Sequence, residues 1–133
     1  MFALVAFVGI GLTDFIRKKG SVEGAQPAQY LLLETLILLG FVGAFALLTT
    51  GPDFMPNRAA AMYAPISAIT IGVGLLALLH GLQHGQGSVV IPISRLGLSL
   101  ASILSILLLG EPVTLTKALG IALAAVAVLL LSM

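Results

Sequence analysis

From Pro27 to Thr50 the chain carries one charged residue, Glu34, set among runs such as Leu31-Leu32-Leu33 and Leu36-Ile37-Leu38-Leu39. An unbroken apolar stretch of about 20 residues is the length an α-helix needs to cross a hydrocarbon core of ~30 Å. The core-facing positions of a soluble helix recur every three or four residues instead. Comparable stretches recur along the chain, and composition agrees with them. Hydrophobic residues make up 59% of the 133 positions and charged residues 8%, with a mean hydropathy of +1.19. A soluble domain keeps about a quarter of its residues charged. The expected class is all-α: a polytopic membrane protein forming one five-helix bundle, with residues 1–133 as a single transmembrane domain.

The breakers divide the chain into five spans. The first covers Phe2 to Ile16, followed by a polar loop from Arg17 to Gln26. The second runs from Pro27 to Thr50, and Gly51 to Arg58, with Pro52 and Pro56, forms a turn. The third extends from Ala59 to Leu82. His84-Gly85-Gln86-Gly87 is a tight connection to the fourth, Ser88 to Leu109. Gly110-Glu111-Pro112 turns the chain into the fifth, Thr114 to Leu131. Span 1 is short, about 22 Å at 1.5 Å per residue, and Arg17, Lys18 and Lys19 complete it by snorkelling. Those charges follow the apolar run rather than precede it, which describes a retained span and not a cleaved leader.

Five spans put the termini on opposite sides. The side holding the first loop carries Arg17, Lys18 and Lys19; the other carries Arg58, Lys117 and the terminal amine. The basic cluster beside span 1 favours its side as cytoplasmic, in a cytoplasmic (inner) cell membrane. The bias is thin enough to suit insertion in both orientations. A net charge of +1 and no basic patch leave nothing for nucleic acid. The absence of cysteine excludes disulfides, thiolate metal sites and cysteine nucleophiles. No cofactor is implied.

Charge inside a span costs roughly 2.5–3.5 kcal/mol near the bilayer centre, so the groups that stand there are candidate functional residues. At 100° per residue Ser88, Arg95, Ser99 and Ser102 fall within about 60° of one another. Pro92 lies on the same side and should kink the span, freeing a backbone carbonyl. This face lines a polar cavity; the plainer alternative is close packing through small residues, with Arg95 snorkelling. Glu34 and Arg95 lie at similar depth, which allows an ion pair, while Glu34 beside Lys18 or Lys19 is the alternative. Asp14 belongs to the same half of the bundle, or forms an i,i+3 pair with Arg17. Ser67 sits in a small-residue stripe on span 3. The candidate substrate-binding set is therefore Arg95, Glu34, Asp14, Ser99, Ser102 and Ser67. His80 and His84, at i,i+4, read as an interfacial pair, since no third metal ligand lies near. Gly120-x-x-x-Ala124 is a small-residue packing face.

The second half of the chain resembles the EamA-type domain of the drug/metabolite transporter superfamily. The likeness rests on the run His84 to Pro92, then Leu109-Gly110-Glu111-Pro112-Val113-Thr114, then Lys117 to Leu123 with Gly120. The end of span 1, Leu12-Thr13-Asp14-Phe15, is similar to the first helix of the same domain. Members are typically ten-helix carriers made of two five-helix repeats of opposite orientation, exporting metabolites, amino acids or toxic compounds. The resemblance implies a small-molecule transporter, exporting, acting as a half-unit that pairs as an antiparallel homodimer or with a related five-helix subunit. Pro92, Gly110, Glu111, Thr114 and Gly120 match motif positions whose role is structural. Glu34 and Arg95 depart from the family pattern, so no particular substrate transfers. A non-transporting membrane subunit or scaffold is the alternative. A serine hydrolase built on Ser88 with His80 or His84 fits poorly, because a histidine so close in sequence is badly placed as its base.

Overall fold

The structure, a computed structural model, describes residues 1–51 and 56–132. All regular structure among them is helical: α1 (Phe2–Val22), α2 (Pro27–Thr50), α3 (Arg58–His84), α4 (Gly87–Ser94), α5 (Leu96–Leu109) and α6 (Leu115–Ser132). The protein is all-α, and its long apolar helices are those of a membrane protein. Three spans are long and apolar enough to cross a bilayer: α2, α3, and α4 with α5 taken together as residues 87–109. Helix α6 is a shorter apolar helix, and α1 carries Asp14, Arg17, Lys18 and Lys19 in its second half.

The helix ends follow local chemistry. Pro27 occupies the first turn of α2, where its missing N–H removes no helix bond. Asn57 caps α3, its Oδ1 accepting from the Ala60 N–H at 2.8 Å. Thr114 caps α6 in the same way, accepting from the Lys117 N–H at 3.3 Å. Gly110 ends α5 at φ 68°, ψ 28°, the left-handed conformation that glycine adopts without steric cost. The motif positions Gly110 and Thr114 thus stand at helix ends. The Pro52–Met55 part of the expected Gly51–Arg58 turn lies outside the described residues.

One boundary differs from expectation. The loop assigned to Arg17–Gln26 is helical as far as Val22. Arginine and lysine are good helix formers, and Gly24, at φ 91°, ends the segment only after them. Helix α1 therefore reaches about 31 Å, so the shortness read into span 1 disappears. The fourth span is interrupted, as Pro92 led one to expect: α4 ends before Arg95, whose backbone stays in the right-handed helical region at φ −78°, ψ −7°, and α5 begins at Leu96. Pro92 has no N–H to give the Ser88 carbonyl. The Arg95 N–H is shared between the Ile91 and Pro92 carbonyls at 3.1 and 3.0 Å.

The helices form two compact groups. Residues 16–83 make one, holding the end of α1, all of α2 and nearly all of α3. Its buried apolar side chains are Leu78, Leu79 and Leu82, near the end of α3. Residues 1–15 and 84–133 make the other, in which α6 packs on α4 and α5. Outside these contacts, large apolar side chains such as Leu36, Phe41, Leu98 and Leu119 are exposed. That is how a helix meets lipid, whose tails are as apolar as leucine.

Candidate functional site

The hydroxyls inside the helices mostly serve their own backbone. Thr13 donates to the Gly9 carbonyl, Thr35 to Leu31, Thr70 to Ile66 and Ser102 to Leu98, each one turn back. Ser67 donates to Ala64 at 3.0 Å and is exposed. In lipid there is no water to satisfy a hydroxyl, so folding it onto the preceding turn removes that cost. Two of the candidate serines, Ser67 and Ser102, are engaged in this way. Ser99 is half-buried, and among the described residues its Oγ has no hydrogen-bond partner.

Asp14, Arg17, Glu34 and Arg95 form ion pairs within the helices. In the group formed by residues 1–15 and 84–133, Arg95 donates from Nε to Asp14 Oδ2 at 3.0 Å and from Nη2 to the same oxygen. The Asp14 side chain is 3% exposed and that of Arg95 35%. Asp14 is thus sealed in, while about a third of the Arg95 side chain is exposed. Arg95 holds the break between α4 and α5, so the proline that interrupts the helix also sets the charge where Asp14 meets it.

In the other group Arg17 lays Nε and Nη2 across both oxygens of Glu34 at 3.0–3.3 Å. This is the side-on fork that suits a carboxylate. Lys18 Nζ donates to the Leu82 carbonyl at 2.7 Å, placing a cation on the last turn of α3, where helix carbonyls lack partners. Gln83 Nε2 donates to the Ala25 carbonyl at 3.1 Å. The close approach of α1 to α2 needs Gly20: a Cβ there would lie 2.9 Å from Cε2 of Tyr30.

Glu34 takes Arg17, a partner not considered from sequence, and Asp14 takes Arg95. Helix length bears on both pairs. With α1 running to Val22, Arg17 lies about 8 Å back from its end and Glu34 about 10 Å into α2. Asp14 lies about 12 Å before the same end, and Arg95 about 12 Å into the span that starts at Gly87.

A groove of about 510 Å³ runs along α5 and α6, lined by Ser102, Ser105, Glu111, Lys117, Gly120 and neighbouring apolar residues. Gly120 leaves open space where a side chain would stand. Lys117 and Ser105 were not singled out from sequence; Ser105 lies one turn beyond Ser102 on α5, which was the available signal. His80 borders a second groove of about 510 Å³ with Gln26, Leu76 and Gln83.

Comparison with known proteins bears on what these features serve. The EamA-like transporter family matches over residues 1–133. The chain belongs to the EamA-like transporter family. This EamA-like chain is 29% identical, over 134 aligned residues, to an uncharacterised transporter encoded in the cobO 3′ region of Sinorhizobium sp.. That alignment covers 98% of the chain and 94% of the relative. An uncharacterised protein of Methanocaldococcus jannaschii is 41% identical over 70 residues, 53% of the chain and 51% of that protein. The shared segment thus spans about half the length of that relative. No solved structure matches significantly. Family membership and the transporter relative support a general role in transport for this EamA-like membrane protein.

Proposed function

We propose that residues 1–133 form one transport unit that exports a small metabolite across the cytoplasmic membrane after pairing with a second five-helix unit. The observation that carries this reading is the Asp14–Arg95 pair: a carboxylate 3% exposed, held by an arginine at a broken helix, inside a chain of a transporter family. Broken helices and buried charges mark substrate pathways in membrane carriers. Arg95, Asp14, Ser99 and Ser102 are the substrate contacts of the group formed by residues 1–15 and 84–133. Glu34 and Ser67 are those of the group formed by residues 16–83. Pairing follows from the odd number of spans, because an inverted repeat needs the second unit inserted the other way round. The Sinorhizobium transporter supports a unit of this size, since the alignment takes in nearly all of both chains. An antiparallel homodimer is the simplest such assembly.

Two measurements test this together. Reporters active only in the cytoplasm or only outside it, fused at the C-terminus, should both give signal for a homodimer. Mass-spectrometric profiling of cells expressing the chain should show at least one small metabolite depleted inside and enriched outside. Asp14→Asn should remove that change. If no metabolite shifts and the topology is single, the chain is a non-transporting subunit.

A further inference from the structure

We propose that the free edge of Arg95, with the Ser99 hydroxyl, is a subsite for the carboxylate of the transported molecule, a substrate class this fixes within the function proposed above. Arginine has five N–H donors on two usable edges. Arg95 spends its side edge, Nε and Nη2, on one oxygen of Asp14. Among the described residues Nη1 has no hydrogen-bond partner, so the end edge formed by Nη1 and Nη2 stays available. The side chain is 35% exposed, against 11% for Arg17. Ser99 lies one helical turn further on, on the same face, and its Oγ is also unengaged.

The contrast with Arg17 is what makes the edge informative. Arg17 turns the same side edge onto both oxygens of Glu34, and its side chain is 11% exposed. An arginine needed only for helix packing is satisfied in that way. Arg95 binds one oxygen of Asp14 and keeps the two parallel N–H groups of its Nη1–Nη2 edge without a partner among the described residues. That spacing fits the two coplanar oxygens of a carboxylate. A phosphate would bring a second negative charge toward Asp14 across the same guanidinium. Asp14 holds the arginine in position, and the ligand takes the adjacent edge, which shares Nη2.

The test reads the edge itself in the purified full-length protein in nanodiscs. Phenylglyoxal labelling is followed by mass spectrometry at Arg95, with exposed Arg58 as the internal reference. Acetate, succinate and benzoate are compared at millimolar concentration with acetamide, succinamide, benzamide and inorganic phosphate. At least one carboxylate should slow labelling of Arg95 while its amide does not, with Arg58 unchanged. In Ser99→Ala the concentration required should rise about tenfold, the weight of one hydrogen bond to a charged group. The proposal is overturned if Arg95 does not react at all. Equal protection by amides, protection by phosphate alone, no protection by any carboxylate, or parallel slowing at Arg58 overturns it as well. Metabolite export without carboxylate protection would leave the transport function standing and remove this subsite. Protection without export would do the reverse.

Discussion

Arg95 reaches Asp14 across 81 positions of sequence and binds one of its carboxylate oxygens through two nitrogens. Asp14 is the one buried charged residue among those described, and the arginine that neutralises it stands at the break between α4 and α5. Two features that each cost stability, a charge within the membrane and a proline within a helix, thus occur at one place.

Removing either partner should be severe. Asp14→Ala or Arg95→Ala leaves an uncompensated charge or an empty socket, and breaking a buried pair costs about 3–5 kcal/mol. Thermal unfolding of the purified protein, followed by size-exclusion chromatography, should show both variants melting well below the parent. The swapped double variant, Asp14→Arg with Arg95→Asp, should recover part of that loss and no transport. Recovery of transport would show that the pair is structural only.

Arg17 and Glu34 should couple in the same assay with less effect on transport. A double-mutant cycle with Arg17→Ala and Glu34→Ala should give an interaction energy of about 1.5–3 kcal/mol, the range for hydrogen bonds to charged groups. A coupling near zero would mean that the fork does not form in the membrane.

Gly20→Leu should destabilise the α1–α2 contact. Even a Cβ at this position meets the Tyr30 ring at 2.9 Å, and overpacking costs about 1–3 kcal/mol. Tyr30→Ala combined with Gly20→Leu should restore part of the loss. If Gly20→Leu melts with the parent, the two helices do not approach here.

Pro92→Ala supplies the N–H that the Ser88 carbonyl lacks. The expected result is unchanged or raised thermal stability, with export reduced about tenfold or more because Arg95 leaves the break. Unchanged export would dissociate the kink from transport.

Thr114→Ala removes the cap of α6, worth about 1 kcal/mol, while Thr114→Ser should behave as the parent. The comparison checks that the hydroxyl acts on the Lys117 N–H, at 3.3 Å, rather than on a substrate.

The sequence by itself determined that this chain is a membrane protein built of helices, because uninterrupted apolar runs admit few other solutions. The limits of α2, Pro27 and Thr50, follow from a proline that starts a helix and a glycine that ends one. The break near Pro92 follows from a missing N–H. The order of motifs from His84 to Leu123 was enough to suggest the EamA-like family. What tertiary structure alone decided is which charges meet. Whether Glu34 found Arg17 or Arg95 depended on how far α1 stays helical past Ile16, and three consecutive basic residues fit a helix end as well as a loop. Local composition cannot separate those states, since the carboxylate and the carbonyl that tie Arg17 and Lys18 in place come from α2 and α3. Charge pairing within a membrane is set by depth and by helix neighbours, and both exist only once the helices have packed.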